Sequence, residues 1–397
     1  MLDAKVVVEP RDAWPGQVVS IHSEAFSRAA VDVGLLKVDG EAAVATRVND
    51  TTFSARLPAG LFAGDHRFAL RLGGDSTAGS LGTVGYVSTT ATGVGLAVAN
   101  PQPWPWQAPT GVLGLTPRSE VIYLDALSGR ATKFASFFGR IGYAPGISYR
   151  PHVAIVSDSA GQTVLATLNI RTGGSTRVPV STPIQRQAFE IDSGQYVVTT
   201  NHSTNIGTIG YATESPWYFV ISPDARWGTL VANTSVFYPP GQFQLPMIEL
   251  SNVSTAHDLV GIGSTDAAAW ALDSKSVYIA ARPFWSGKQQ LLRMDPETGD
   301  TIASAMTESS WWDGEATWAL TVDQRRGWLY DLARAEPGWW LRVRDPETLA
   351  IIGRVAIPTT CRAPAFPIII ADLSSPMIHI IENECSSTMI HHVRLPD

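Results

Sequence analysis

Residues 291–305 read LLRMDPETGDTIASA and residues 341–355 read LRVRDPETLAIIGRV. An apolar strand, Asp-Pro-Glu-Thr and a second apolar strand are thus written twice, fifty residues apart. A catalytic motif is normally written once, whereas a repeated turn between strands points to a repeated structural unit. Ahead of each turn lies a second match, AAAWALDSKSVYIAA (267–281) and ATWALTVDQRRGWLYDLA (316–333), each an apolar strand, a polar turn containing Asp, and another apolar strand. The same pattern occurs in SPWYFVISPDARWGTLVA and FPIIIADLSSPMIHIIE. The marker residues Asp224, Asp273, Asp323 and Asp372 are 49, 50 and 49 residues apart.

Looser matches continue upstream, at Asp192 in AFEIDSGQYVVTT, at Asp158 in HVAIVSDSAGQTVLATL, and near Pro117 in GVLGLTPRSEVIYL. Seven units result, the one between Asp192 and Asp224 being short for four strands. Each unit reads as four short antiparallel strands. The marker turn joins strands A and B, and Asp-Pro-Glu-Thr joins C and D. Proline fixes φ and Gly299 supplies a positive-φ position, as a tight turn requires. Such a sheet buries both faces only when packed against copies of itself, which is the β-propeller arrangement. The last unit stops after SSTMIHHVRL, so its fourth strand has to come from an upstream segment, and GVGLAVAN (93–100) is the natural source. With its D-x-x-T-G hairpins, the stretch from about residue 90 to 397 resembles seven-bladed propellers of the YVTN or quinoprotein-like type. That resemblance implies a fold and leaves the activity open.

The first ninety residues differ. VVVEPRDAWPGQVVSIHSEAF and AAVATRVNDTTFSARLPAGLFAGDHRFALRLGG alternate apolar and polar residues over short strands punctuated by Pro and Gly, a small sandwich pattern. Over residues 4–88 the order of Pro-Gly turns and of LPAG-x-x-x-G-x-H resembles IPT/TIG immunoglobulin-like domains, which serve as spacers or docking units. His22 and His66 read as strand-surface residues. STTATGVG (88–95) reads as a linker. The expected fold is therefore all-β, with an immunoglobulin-like sandwich over 1–88 and a seven-bladed propeller over 89–397 closed by an N-terminal strand of its own.

Composition narrows the partners. Charged residues make up 16% of the 397 residues and the net charge is −7, so a nucleic-acid partner, which requires a basic field, is not expected. No run approaches 18 apolar residues, so no membrane insertion is expected either. MLDAKVVVEP runs straight into strand-like sequence and carries no signal-peptide pattern. A cytosolic protein, a secreted protein without its leader and a phage structural protein all fit, and an extracellular or virion setting is taken forward. Cys361 and Cys385 read either as one disulfide or as two buried thiols.

In a propeller the D-to-A and B-to-C loops open on one face. Those loops collect Trp104, Trp106, Tyr149, Arg150, Arg186, Tyr238, Arg282, Trp285, Trp311, Trp312 and Arg362. Exposed aromatic and Arg side chains of this kind stack on sugars or anchor partner proteins, whereas the structural alternative has each Trp folded back onto its own blade. Trp104, Trp106, Arg150, Arg186, Tyr238, Arg282, Trp285, Trp311, Trp312 and Arg362 are taken as ligand-binding candidates. An enzyme would require converging acids and bases, and His152, His202 and His257 are the weak candidates, with Asp313 and Glu315 on the same face. No metal-ligand spacing, hydrolase motif or cofactor motif is written, so neither metal nor cofactor is expected. The repeated Asp residues read as turn caps. The expectation is a non-catalytic recognition or assembly module binding a glycan or a cell-surface or virion protein. The alternatives are a propeller lyase or hydrolase using a channel His with Arg, and a structural component of a homo-oligomer.

Overall fold

A computed structural model of the protein describes residues 6–395 apart from 10–11, 14–15, 59–60, 62–63, 84–85, 95–97, 100–110, 117–119, 137–145, 148–151, 160–161, 170–174, 180–186, 193–194, 200–202, 207–208, 213–215, 225, 233–245, 250–255, 259–261, 284–287, 311–315, 324, 336–337, 359–366, 373–374 and 383–386. For residues 134–219 the description is of the backbone alone.

The N-terminal unit is one eight-stranded sheet. Its strands are β1 (Val7–Glu9), β2 (Asp12–Ala13), β3 (Val18–His22), β4 (Val33–Val38), β5 (Glu41–Asn49), β6 (Thr52–Arg56), β7 (Gly64–Leu72) and β8 (Asp75–Thr83). Their order is β1-β3-β6-β5-β4-β7-β8-β2, with β2 parallel to β8 and the other pairs antiparallel. Two residues separate β1 from β2, yet the two strands lie at opposite ends of the order, so the sheet curls until its ends meet. Period-two alternation sends Ile21, Leu36, Val38, Phe53, Phe68 and Leu70 inward, where burial of apolar area stabilises the unit. Phe26, on a short 3-10 helix (Glu24–Arg28), meets Phe53 edge to face at 5.3 Å. Arg47 covers the Phe53 ring and donates to the carbonyls of Phe26, Ala29 and Val31, tying the helix down. His22 is half-buried against Thr52, and His66 is buried and hydrogen-bonded to Asp39. His66 is therefore a buried, paired residue where a surface residue was expected.

From residue 86 onward seven four-stranded antiparallel sheets follow in chain order. Blade 1 holds Val98–Ala99, Gly111–Leu115, Glu120–Asp125 and Ala131–Ser136, and blade 2 holds Gly146–Ile147, His152–Ser159, Gln162–Asn169 and Ser175–Pro179. Blade 3 holds Gln187–Asp192, Gln195–Thr199, Ser203–Ile206 and Ile209–Ala212, and blade 4 holds Pro216–Ile221, Trp227–Ala232, Pro246–Glu249 and Ala256–Asp258. Blade 5 holds Ile262–Trp270, Val277–Pro283, Lys288–Met294 and Thr301–Ser310. Blade 6 holds Thr317–Val322, Leu329–Ala335, Gly338–Arg344 and Ile351–Pro358. Blade 7 holds Ile368–Ala371, Met377–Glu382 and Met389–Arg394, and its fourth strand is β9 (Tyr86–Ala91). First strands of blades 4 to 7 pack on one another in turn, and Ile122 and Leu124 of blade 1 bury against Ile368, Ile370, Ile381 and Ile390 of blade 7. The chain is an all-β propeller preceded by a curled sheet.

The repeat has a direct physical counterpart. Trp270 donates to the Val220 carbonyl at 3.1 Å, and the Asp224 amide donates to Ser274 Oγ at 3.0 Å, so residues fifty positions apart touch across adjacent blades. Asp224, Asp273 and Asp323 each accept a backbone N–H two residues on, and Asp372 accepts from Ser375. In the Asp-Pro-Glu-Thr turns, Asp295 and Asp345 accept two backbone N–H groups each. The fifth position is left-handed in both, Gly299 at φ 76° and Leu349 at φ 62°. Asp125–Gly129 (DALSG) is a third such turn, capped by Asp125 and closed by Gly129 at φ 69°.

Three details differ from the sequence reading. The closing strand is β9, formed by YVSTTA, and not the 93–100 segment, whose Val98–Ala99 opens blade 1. Half of the expected linker is therefore sheet. The turns near Pro117 and Asp158 join second to third strands, because the first strands of blades 1 and 2 are two residues long. The short unit between Asp192 and Asp224 holds four strands of 6, 5, 4 and 4 residues.

Candidate functional site

In an antiparallel blade the second-to-third turn and the connection to the next blade share one rim, and the first-to-second and third-to-fourth turns share the other. Arg282, at the end of the second strand of blade 5, belongs to the first rim. Arg186, Tyr238, Trp285, Trp311, Trp312 and Arg362 lie outside the described residues, in stretches of chain that join strands at that same rim. Trp104, Trp106 and Arg150 also lie outside the described residues, but between the first and second strands of blades 1 and 2.

His152 opens the second strand of blade 2, at the rim opposite to Arg282, and His257 sits in the fourth, edge strand of blade 4, paired with Met247. His202 lies outside the described residues, as do Asp313, Glu315, Cys361 and Cys385. Among the described residues no three His, Cys, Asp or Glu side chains form a metal-binding group, and no helix is long and apolar enough to cross a membrane.

Around Arg282 the structure builds a buried polar chain. Arg282 Nη2 lies 2.9 Å from Asp266 Oδ2, and Gln289 Nε2 donates to the same oxygen at 2.6 Å. Gln289 then clasps the first strand of blade 6, donating to the Thr317 carbonyl at 3.0 Å and accepting from the Thr317 amide at 2.6 Å. Thr317 Oγ1 donates to Asp331 Oδ2 at 2.8 Å and accepts from Arg342. Asp331 is directly opposite Arg342 in the sheet register and is also paired with Arg344.

Electrostatics separate the two carboxylates. Burial pushes Asp331 up, but Arg342, Arg344 and the hydrogen bonds outweigh it and hold its pKa below the usual range. Arg344 is moved down by burial, against the pull of Asp331. For Asp266 burial dominates, and its pKa is raised despite Arg282 and Gln289. Asp266 sits in a β-bulge between Thr265 and Ala267 that turns it out of the regular pleat. Its Oδ1 is buried with no donor among the described residues. Among the described residues this Asp–Arg pair leaves one acceptor, Asp266 Oδ1, without a donor, chemistry suited to a hydroxyl group.

Sequence reasoning singled out Arg282 through its Arg-Pro-Phe-Trp loop and missed Asp266, Gln289, Thr317, Asp331 and Arg342. The available signal was a charge inside an apolar strand, in STDAAAW, LYDLA and LRVR. A second buried set lies in blade 7, where His391 and His392 point to opposite faces of their strand, as alternation predicts.

No family model matches the chain, and no curated protein matches it. Among solved structures it is similar to an auxiliary nutrient binding protein from Bacteroides ovatus, at 12% identity and TM-score 0.42, with 98% of each chain covered. It is similar to the WD40 β-propeller domain of Doa1 at 9% identity and TM-score 0.47, covering 79% of this chain and 98% of that one. A quinoprotein alcohol dehydrogenase-like protein from Bacteroides thetaiotaomicron matches at 11% identity and TM-score 0.43, with 89% and 96% covered. Likeness at this level is common to propellers of unrelated activity and assigns none.

Proposed function

We propose that the protein is a recognition module of the extracellular space or of a virion that binds neutral glycan chains at the rim carrying Arg282. The N-terminal sheet, read as an IPT/TIG-like immunoglobulin unit, serves as its spacer. The observation that carries this reading is the buried Asp266–Arg282 pair, whose Asp266 Oδ1 has no donor among the described residues. A sugar hydroxyl satisfies such an acceptor without adding charge, and an aromatic side chain stacks on the apolar face of the ring. Trp285 lies three residues from Arg282 in sequence, and Trp311 and Trp312 precede Thr317.

The test is binding to a glycan array and to whole bacterial cells. Wild type is compared with a Trp285→Ala, Trp311→Ala, Trp312→Ala variant and with Arg282→Met, each checked for folding by circular dichroism. The expected result is binding by the wild type that falls at least about tenfold in both folded variants, the loss of one stacking or charged contact being worth 1–3 kcal/mol. No glycan binding by the wild type, or binding unchanged in the variants, overturns the reading.

A further inference from the structure

The outer face of the N-terminal sheet is apolar and basic. Odd-numbered positions of β4 and β7 and even-numbered positions of β5 point away from the core that holds Leu36, Val38, Phe68 and Leu70. Val33, Leu35 and Val44 are 38% to 63% exposed there, and Leu35 stands directly opposite both Val44 and Arg71 in the register. Lys37 stands opposite Ala69, between Arg67 and Arg71 of the neighbouring strand, and so lies about 7–8 Å along the diagonal from each. All three cations are exposed. Arg71 donates to the Gly73 carbonyl, and among the described residues none of the three is ion-paired. Like charges set together beside bare aliphatic surface are unfavourable in an isolated chain and favourable against a surface that is acidic and apolar.

The propeller of the same chain carries such a surface. The two Asp-Pro-Glu-Thr turns put Glu297 and Glu347, both exposed, at the same point of blades 5 and 6, with exposed Asp300 beside the first. Just beyond each turn the fourth strand bulges, against Arg293 and Met294 in blade 5 and against Val343 and Arg344 in blade 6. The extra residue is Ile302 in one blade and Ile352 in the next, and a bulge turns its side chain out of the regular pleat. Ile302, Ile351 and Ile352 are 40% to 50% exposed. Leu349 of the second turn is buried in one cluster with Leu291 of blade 5, so the two turns are neighbours. Glu297 is bridged to Arg226, whereas Glu347 and Asp300 have no cation partner among the described residues. Both surfaces are exposed in a single chain, so neither covers the other.

We propose that the chain associates with copies of itself head to tail, the outer face of β4, β5 and β7 in one copy seated on the paired Asp-Pro-Glu-Thr turns of blades 5 and 6 in the next. Charge selects this pairing over the symmetric one, because face against face sets Lys37, Arg67 and Arg71 against their own copies. A head-to-tail contact leaves a free face at one end and a free pair of turns at the other, so growth passes the dimer until a ring closes.

Sedimentation velocity of the intact chain tests this from about 5 to about 200 µM at about 0.1 M salt, where a Debye length of about 10 Å screens distant charges and spares contacting ones. Wild type is expected to sediment faster with rising concentration, past the dimer. Two variants reverse the charges, one carrying Lys37→Glu, Arg67→Glu and Arg71→Glu, the other Asp300→Lys and Glu347→Lys. Each alone is expected to associate at least about tenfold more weakly. Their equimolar mixture is expected to associate again, since the reversed face fits the reversed turns. A wild type that stays monomeric throughout overturns the proposal whether or not the variants fold. Undiminished association of either variant, folded by circular dichroism, overturns it too, as does a mixture of folded variants that stays monomeric. A check without substitutions is zero-length carbodiimide cross-linking of isotope-labelled with unlabelled wild type. Mixed-label links from Lys37 to Glu297, Asp300 or Glu347 are expected, and association without any of them overturns the pairing. None of these readouts involves a glycan, so the outcome is separate from binding at the Arg282 rim.

Discussion

Leu349 occupies the left-handed position of the second Asp-Pro-Glu-Thr turn, where the first turn has Gly299. Its amide donates to the Asp345 carbonyl at 2.9 Å, and its own carbonyl accepts from Arg344 at 2.7 Å. The side chain is fully buried among Leu291, Leu320, Val322 and Leu329, between blades 5 and 6. Two opposed terms thus meet at one residue. Truncating a buried leucine to alanine costs about 2–5 kcal/mol, while a left-handed φ costs a residue with a Cβ roughly 1–2 kcal/mol. Leu349→Ala loses the packing and keeps the strain, so it is expected to destabilise the protein by about 3 kcal/mol. Leu349→Gly loses that packing and the Cβ as well but sheds the strain, against roughly 0.5–1 kcal/mol for glycine's extra freedom in the unfolded chain. The glycine variant should therefore come out up to about 1 kcal/mol more stable than the alanine variant, the reverse of the usual ranking at buried positions. Urea unfolding followed by tryptophan fluorescence reads both midpoints. An alanine variant clearly more stable than the glycine variant refutes the strain argument. Two variants within about 0.5 kcal/mol of wild type refute the burial argument.

Two further outcomes follow from the buried charges and the closing strand. Asp331→Ala leaves Arg342 and Arg344 buried without their carboxylate and is expected to cost about 3–5 kcal/mol, seen as a fall in thermal midpoint. Because the folded pKa of Asp331 is held below its ordinary value, that difference is full above about pH 4 and shrinks as pH falls through the lowered value, so the two midpoints converge in acid. A chain starting at residue 93 lacks β9, whereas one starting at Tyr86 keeps it. The longer chain is expected to retain a cooperative blade 7 transition by circular dichroism and the shorter to lose it. Equal melting of the two would show that β9 does not close the ring.

The architecture was legible where physics leaves a compositional mark. Asp-Pro-Glu-Thr and the fifty-residue marker spacing reveal the blades because Asp capping and Pro geometry are written in residue types. The Asp125 turn performs the same job without Pro or Glu, and its DALSG spelling escaped the pattern although cap and left-handed glycine are both present. The strand phase in blades 1 and 2 was misread because first strands of two residues carry no periodicity. β9 looked like a linker because an outer strand has to cover only one face, and Thr89 and Thr90 are there for their hydroxyls. At the rim, Arg282 was legible from its Trp-bearing loop. Asp266 and Asp331 were not, since their partners are set by cross-strand register and by the neighbouring blade.

The contact between β9 and the last strand of blade 7 joins residues 302 positions apart. During synthesis Thr89 leaves the ribosome long before His391 exists, so every other blade can fold before the ring does. Closing a loop of that length costs about 5 kcal/mol of chain entropy beyond a fixed term, returned only when the Met389–Arg394 strand docks. Until that moment β9 and blade 7 each present an unpaired edge, the feature that draws chains into aggregates. The Met389–Arg394 strand thus decides when β9 stops being an aggregation hazard.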